Sequence, residues 1–323
     1  MANGELDGAT GPPDDGSLVY LDGDLVPVAE ARVSVYDHAF LYGDGIFETV
    51  RVVDGRAFRL RDHLDRLERS AAAIALDLPA SREEIADALL RSVAANGLRM
   101  SFVKVIVTRG AGSEPLLRHE GLTSAIVILV RPSMPFLDGE GSVGISAAVV
   151  GTRKTPAAAL DPRIKSLNYL NVIQSRIEAR AMGAEESILL DGQGRVAEGS
   201  IYNVIAVHGR RLISPAEGCL EGITLRTVWE AALECGYDAE RTTVYPYDLA
   251  TCDELIFTST AVGLVPVTSV NGRQVGSGAP GPVFADLRAG YERALTDPAH
   301  GTAVPYERYE DRVPAASASR GDR

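Results

Sequence analysis

The chain has 323 residues, 46% of them hydrophobic and 24% charged, with 44 acidic against 32 basic side chains and a formal net charge of −12. The length suggests about two domains with ample core, and the composition is that of an ordinary globular protein. No basic excess exists to neutralise a phosphate backbone, so nucleic acid is not an expected partner, although a local basic pocket for one small phosphate stays compatible with the balance.

Residues 1–17, rich in Gly, Asp and Pro, read as a disordered segment without the charged and apolar regions of a secretory leader. No apolar run approaches the roughly 18 residues of a membrane helix, and the cytoplasm is the expected location. From Leu18 the pattern predicts short strands around a turn at Asp22-Gly23-Asp24, then a strand over Gly45 to Val53 closed by Asp54-Gly55. Leu60, Leu64, Leu67, Ala71 and Ile74 recur at helical spacing. A second helix is expected from Ser81 to about Asn96, with Ser81 and Glu84 forming a capping box. Strands near Phe102–Thr108, Ser124–Arg131 and Val143–Val150 complete a small α+β domain over 18–150. A Pro-bearing connector over 151–162 follows. The second domain, 163–297, is expected to hold a helix after Lys165, hairpins around Asp191–Gly194, His208-Gly209 and Asn271-Gly272, and helices near Thr224–Cys235 and Val283–Leu295. Residues 298–323 read as a flexible tail. Cys219, Cys235 and Cys252 are an odd number at no metal-ligand spacing, so they read as reduced structural thiols and no metal is expected.

Lysine is nearly absent: Lys104, Lys154 and Lys165 are the only three. Lys104 and Lys154 have bland readings. Lys165 stands where a loop, Arg163-Ile164-Lys165-Ser166-Leu167-Asn168-Tyr169, runs into an apolar helical pattern. A primary amine forms an imine with an aldehyde, which a guanidinium cannot do. Four further segments can carry chemistry. Tyr42-Gly43-Asp44-Gly45 permits close backbone approach or is an ordinary loop entering a strand. Arg66 is a phosphate clamp or a surface ion pair. Glu198, in Ala197-Glu198-Gly199-Ser200, is a turn residue or a buried carboxylate that needs a cationic partner. Gly222-Ile223-Thr224 opens a helix whose N–H groups can receive an anion, and Thr258-Ser259-Thr260 ends a strand with three hydroxyls.

Together, and in this order, Tyr42-Gly43-Asp44-Gly45, Phe58-Arg59 through Asp65-Arg66-Leu67, Ile164–Asn168, Ala197–Ser200 and Gly222–Thr224 resemble the class IV pyridoxal-phosphate aminotransferases of fold type IV. That group includes branched-chain and D-amino acid aminotransferases, R-selective amine transaminases and aminodeoxychorismate lyases. The resemblance implies an α+β fold of two domains, a small α/β sandwich and a larger pseudo-barrel with pyridoxal 5'-phosphate between them, assembled as a homodimer. It implies that Lys165 bonds to the cofactor aldehyde and moves the substrate proton, and that Glu198 pairs with the pyridine nitrogen. Arg66, the N–H groups of Ile223 and Thr224, and Thr260 would hold the phosphate, and Tyr169 would contact the phenolic oxygen.

For the substrate pocket the resemblance points to Tyr42 and Phe47. The branched-chain members' aromatic-x-Arg-Pro strand reads Phe102-Val103-Lys104-Val105 here, so Lys104 could meet a carboxylate only as a point charge. Their Phe-Glu-Gly-Ile-Arg motif reads Phe47-Glu48-Thr49-Val50-Arg51. Arg109, in the widely shared Val107-Thr108-Arg109-Gly110, and Arg118, beside His119, are further candidates for a substrate carboxylate. The implied activity is ping-pong transfer of an amino group between a small apolar, branched-chain-like amino acid and a 2-oxo acid. A lyase of the aminodeoxychorismate type and a D-amino acid or R-amine transaminase are the alternatives.

Overall fold

The computed structural model describes residues 16–112, 120–133 and 143–309. A seven-stranded sheet carries the first half in the order β16-β4-β3-β5-β6-β1-β2. Its centre is β3 (Gly45–Val53), paired antiparallel with β5 (Ser101–Thr108), which pairs in turn with β6 (Ala125–Pro132). The short strands β1 (Leu18–Leu21) and β2 (Asp24–Pro27) form one edge, and β4 (Arg56–Phe58) lies on the other side of β3. A five-residue helix, α1 (His38–Tyr42), precedes β3.

Helices α2 (Leu60–Ala73) and α3 (Arg82–Ala95) cover this sheet. Leu60, Leu64, Leu67 and Ala71 supply the inward stripe of α2, packed against Ile46, Val50, Val103 and Val105. Burying such an apolar stripe is what holds an amphipathic helix to a sheet. The Ser81 cap forms as expected: its Oγ accepts from Glu84 N–H, and the Glu84 carboxylate accepts from Ser81 N–H.

The second body is a nine-stranded mixed sheet in the order β12-β11-β10-β13-β14-β7-β8-β9, with β15 pairing β14. Its strands are β7 (Ile145–Arg153), β8 (Glu186–Leu190), β9 (Val196–Gly199), β10 (Asn203–His208), β11 (Arg211–Pro215), β12 (Asp238–Thr242), β13 (Glu254–Ser259), β14 (Gly263–Val270) and β15 (Arg273–Gln274). Helices α4 (Leu170–Ala181), α5 (Ile223–Glu234), α6 (Pro246–Thr251) and α7 (Pro282–Thr296) pack around it.

Two expected boundaries differ. β7, read as the end of the first domain, lies parallel to β14 and β8 and belongs to the second sheet, and it runs into the expected connector. Residues Gly301–Ala303 of the expected flexible tail form β16, which returns to the first sheet beside β4. Arg59 N–H donates to His300 O at 2.7 Å and Val304 N–H to Gly55 O at 2.9 Å, so these backbone groups are satisfied across the two halves of the chain. Residues 1–15 and 310–323 of the two expected loose ends lie outside the described residues.

Candidate active site

Lys165 lies on a loop sewn to both neighbours of the first domain. Phe47 N–H donates to Lys165 O at 2.9 Å, and Leu167 N–H to Gly45 O at 3.0 Å. Lys165 N–H donates to the Ser70 hydroxyl of α2 at 3.2 Å. Such close passage needs Gly45, because a Cβ there would sit 2.7 Å from Val107 O and 2.8 Å from Leu167 Cδ1. The Lys165 amine lies 4.6 Å from the centre of the Phe47 ring. Burial, reinforced by the Arg66 guanidinium, pushes its pKa down to about 8. A lysine so shifted has a substantial neutral, nucleophilic fraction near neutral pH.

The amine opens into a cavity of about 300 Å³ between the two sheets. All three lysines of the chain line it. Glu198, at the end of β9 and 7% exposed, lines it too. Its Oε2 accepts from Leu220 N–H at 2.9 Å, and its Oε1 lies 2.5 Å from Lys154 Nζ. The bland sequence reading of Lys154 therefore gives way to a buried partnership across 44 residues. Its signal was available, since the scarcity that singles out Lys165 applies equally to Lys154.

At another wall stand Arg66 and the start of α5. Arg66 is buried, and Nη1–H donates to Glu221 O at 2.8 Å, one residue before the helix cap Gly222. No side chain caps α5, so its first N–H groups face the same wall as Arg66. A Cβ at Gly222 would come within 1.9 Å of Asn203 Oδ1, while Asn203 Nδ2–H holds Leu220 O at 2.8 Å. The hydroxyls of Ser200, Thr258 and Ser259 line the cavity and are buried with no hydrogen-bond partner among the described residues. Thr224 and Thr260 also line it. A cation, an uncapped helix start and orphaned hydroxyls at one cavity fit a phosphate ester.

Sequence reasoning missed the support behind Arg66. Glu48, on β3, is 1% exposed and binds both Arg66 and His63. Burial alone would raise the Glu48 pKa, but the Arg66 guanidinium and His63 hold it well below the usual carboxylate range. His63, fully enclosed, has its pKa lowered by burial. Alternation along β3 sends Phe47 and Thr49 to the cavity and Glu48 to the opposite face, toward α2.

Tyr169 precedes α4, and its ring centre lies 5.4 Å from that of Phe47. Burial, with the charge of Glu198, pushes its hydroxyl up to about 12, so it stays a proton donor at neutral pH. Lys104 lies across from Thr49 in the β3–β5 register, with Nζ 4.5 Å from the Phe47 ring centre and its pKa lowered by burial. Two expected substrate residues lie elsewhere. Tyr42 is 40% exposed on α1, edge-on to His38, and does not line this cavity. Arg109 is consumed structurally: Nε–H donates to Asp44, and both Nη groups donate to the carbonyls of Ala75 and Ile74 at the end of α2. Arg118 lies outside the described residues. Among the described residues no cluster could hold a metal ion, and no helix is long and apolar enough to cross a membrane.

Residues 45–270 match the family model of the class IV aminotransferases. The chain is 37% identical over 280 residues to a Methanocaldococcus jannaschii protein provisionally named a branched-chain-amino-acid aminotransferase, covering 86% of this chain and 96% of that one. It is 32% identical over 279 residues to a D-alanine aminotransferase of Bacillus licheniformis, covering 86% and 96%. The crystal structure of the T.th. branched-chain amino acid aminotransferase with pyridoxamine 5'-phosphate superposes with a TM-score of 0.85 at 30% identity, covering 90% of this chain and 99% of that one. A lysine loop sewn to β3, a buried glutamate and a phosphate-sized group of donors thus sit within a fold shared along nearly the whole chain, which belongs to the class IV aminotransferases and is a pyridoxal-phosphate-dependent transaminase of fold type IV.

Proposed function

We propose that the enzyme moves an amino group between a small apolar, branched-chain-like amino acid and a 2-oxo acid, with 2-oxoglutarate as acceptor, using Lys165 as the reacting amine. The observation that carries the reading is the Lys165 amine, lowered to about 8 and opening into a cavity shared with Glu198 and Arg66. Pyridoxal 5'-phosphate, when bound, supplies the electron sink that lets a substrate Cα–H bond ionise. Arg66, the Ile223 and Thr224 N–H groups and Thr260 would hold its phosphate. Glu198 presents a negative carboxylate to the ring nitrogen and favours its proton. Tyr169, protonated at neutral pH, donates toward the phenolic oxygen. Lys165 Nζ would take the proton from the substrate Cα and hold it for return. Phe47 and Tyr169 offer the cavity an aromatic wall that suits an apolar side chain.

The names of the relatives support the branched-chain reading, and the likeness to a D-alanine aminotransferase supports a second, D-selective one. The exposed apolar residues Tyr36, Phe40 and Leu41 support assembly as a homodimer. Amino acids and 2-oxo acids as substrates fit a cytoplasmic enzyme. Half-reactions of the purified holoenzyme with L-leucine, L-glutamate, D-alanine and an (R)-amine, read by bleaching of the visible cofactor band, test the substrate. Bleaching by L-leucine and L-glutamate supports the first reading, and bleaching by D-alanine alone the second. Release of many equivalents of pyruvate per enzyme from aminodeoxychorismate, without an amino acceptor, would identify a lyase. A Lys165→Ala protein that retains turnover would remove Lys165 from its role.

A further inference from the structure

We infer that Lys154 is a positioning residue, one that fixes the orientation of the Glu198 carboxylate for the cofactor's ring nitrogen. The inference rests on the role proposed for Glu198. Of the three cavity amines, only that of Lys154 has a carboxylate within ion-pair distance among the described residues. Both partners are anchored to the same strand. Lys154 N–H donates to Leu190 O of β8 at 2.8 Å, and Glu198 pairs with Leu189 of β8. The pair is therefore held by the sheet, unlike a swinging surface pair. Side-chain exposure is 15% for Lys154 and 9% for Glu198, so each charge leans on the other for compensation.

Leu220 N–H grips the second carboxylate oxygen, and Lys154 the first. Two partners from two directions fix the plane of the carboxylate. The remaining ionisable groups near Glu198 are Lys165 and Tyr169 on the lysine loop and Cys219 beside Leu220. None of them lies within ion-pair or hydrogen-bond distance of the carboxylate among the described residues. The same ion pair divides the work between two amines. The Lys154 amine is turned to the Glu198 carboxylate, while the Lys165 amine has no carboxylate in ion-pair distance among the described residues.

The test compares wild type, K154M, K154R, E198Q and the double variant K154M/E198Q, all loaded with pyridoxal 5'-phosphate. Equilibrium dialysis gives the cofactor dissociation constant, and thermal melting checks folding. Borohydride reduction followed by peptide mass analysis locates the attached cofactor. Loss of an outer partner that orients a ligand group typically costs about 10- to 100-fold in affinity. K154M is expected to weaken cofactor binding by that much, K154R to restore most of it, and K154M to add nothing in the E198Q background. A wild-type dissociation constant in K154M overturns the proposal, as does additive loss in the double variant, a comparison that holds even where single variants lose some stability. If E198Q binds the cofactor as tightly as wild type, the underlying reading of Glu198 fails. If E198Q weakens binding and K154M binds normally, only the role of Lys154 fails.

Discussion

The Glu48 carboxylate grips Arg66 with both oxygens, accepting Nε–H at 2.6 Å and Nη2–H at 2.9 Å. His63 Nδ1 lies 2.7 Å from the same carboxylate and must be its donor, because an ionised carboxylate only accepts. Arg66 is thereby tied to β3, while its Nη1 ties it to the approach of α5. A cation meant for an anion arrives in a fixed plane, and little ordering remains to be done on binding.

Glu48→Gln leaves Arg66 buried beside a neutral amide. Removing one partner of a buried pair typically costs about 3 kcal/mol or more, and that loss is expected in urea unfolding. The sign with pH follows from the depressed Glu48 pKa. Its contribution is complete above the unfolded value of 4.5 and is lost as pH falls below that toward the folded value. The gap between wild type and variant should stay flat from about pH 8 to pH 5.5 and shrink below about 4.5. A gap that persists unchanged at low pH would show that the charge is not the cause.

Lys165→Met should raise the melting temperature of the cofactor-stripped protein at pH 7. The folded amine titrates near 8 and the unfolded one near 10.5, so the unfolded chain binds more protons between those values and wild-type stability rises with pH there. Below about pH 8 the folded protein bears the whole cost of burying a charged amine. The advantage of the variant should therefore close above about pH 10.5. Calorimetry of the stripped proteins at pH 7 and 10.5 decides this, and a variant no more stable at pH 7 contradicts it.

Arg109→Ala should cost about 3 kcal/mol of stability while leaving the KM for amino donor and acceptor unchanged below the melting temperature. Its guanidinium is spent on Asp44 and on two carbonyls at the end of α2. A KM raised more than about tenfold with little change in melting, the signature of a lost charge-assisted contact, would return Arg109 to the substrate pocket.

Lys104→Met should raise the KM for 2-oxoglutarate about tenfold, the usual worth of one charge-assisted contact, and leave the KM for a monocarboxylate 2-oxo acid little changed. The Lys104 amine lines the cavity beside Thr49 and has no carboxylate in ion-pair distance among the described residues. Equal effects on both acceptors in steady-state assays would rule out a role for Lys104 in reading the second carboxylate.

Local patterns revealed what local forces determine. The strand over Gly45–Val53, the Ser81 capping box and the helix after Leu60 follow from alternation, capping chemistry and 3.6-residue spacing. Lys165 stood out because lysine is scarce and this one enters a helical pattern, and Glu198 because its flanking motif recurs in a family. The placement of β7 was not readable, because its parallel partners lie about 40 and 120 residues away and parallel pairing leaves no local mark. β16 is three residues long, too short for any period to show. The grip of Glu48 on Arg66 depends on how β3 and α2 face each other, and Arg66 taken alone looked like one more surface charge. Arg109 misled for the opposite reason: a motif shared across a family says that a residue is kept near a site, while its hydrogen bonds here serve a helix end.

Because every lysine of the chain faces one interior chamber, its outer surface offers guanidinium groups but no ε-amine. Reagents that acylate lysine, such as succinimidyl esters, will find ε-amines only in the chamber itself. Lysine modification should therefore track inactivation, and saturating bound cofactor should shield the protein. Lysine-to-lysine cross-linkers are correspondingly poor reporters of its assembly state, and immobilisation through lysine would consume amines of the chamber.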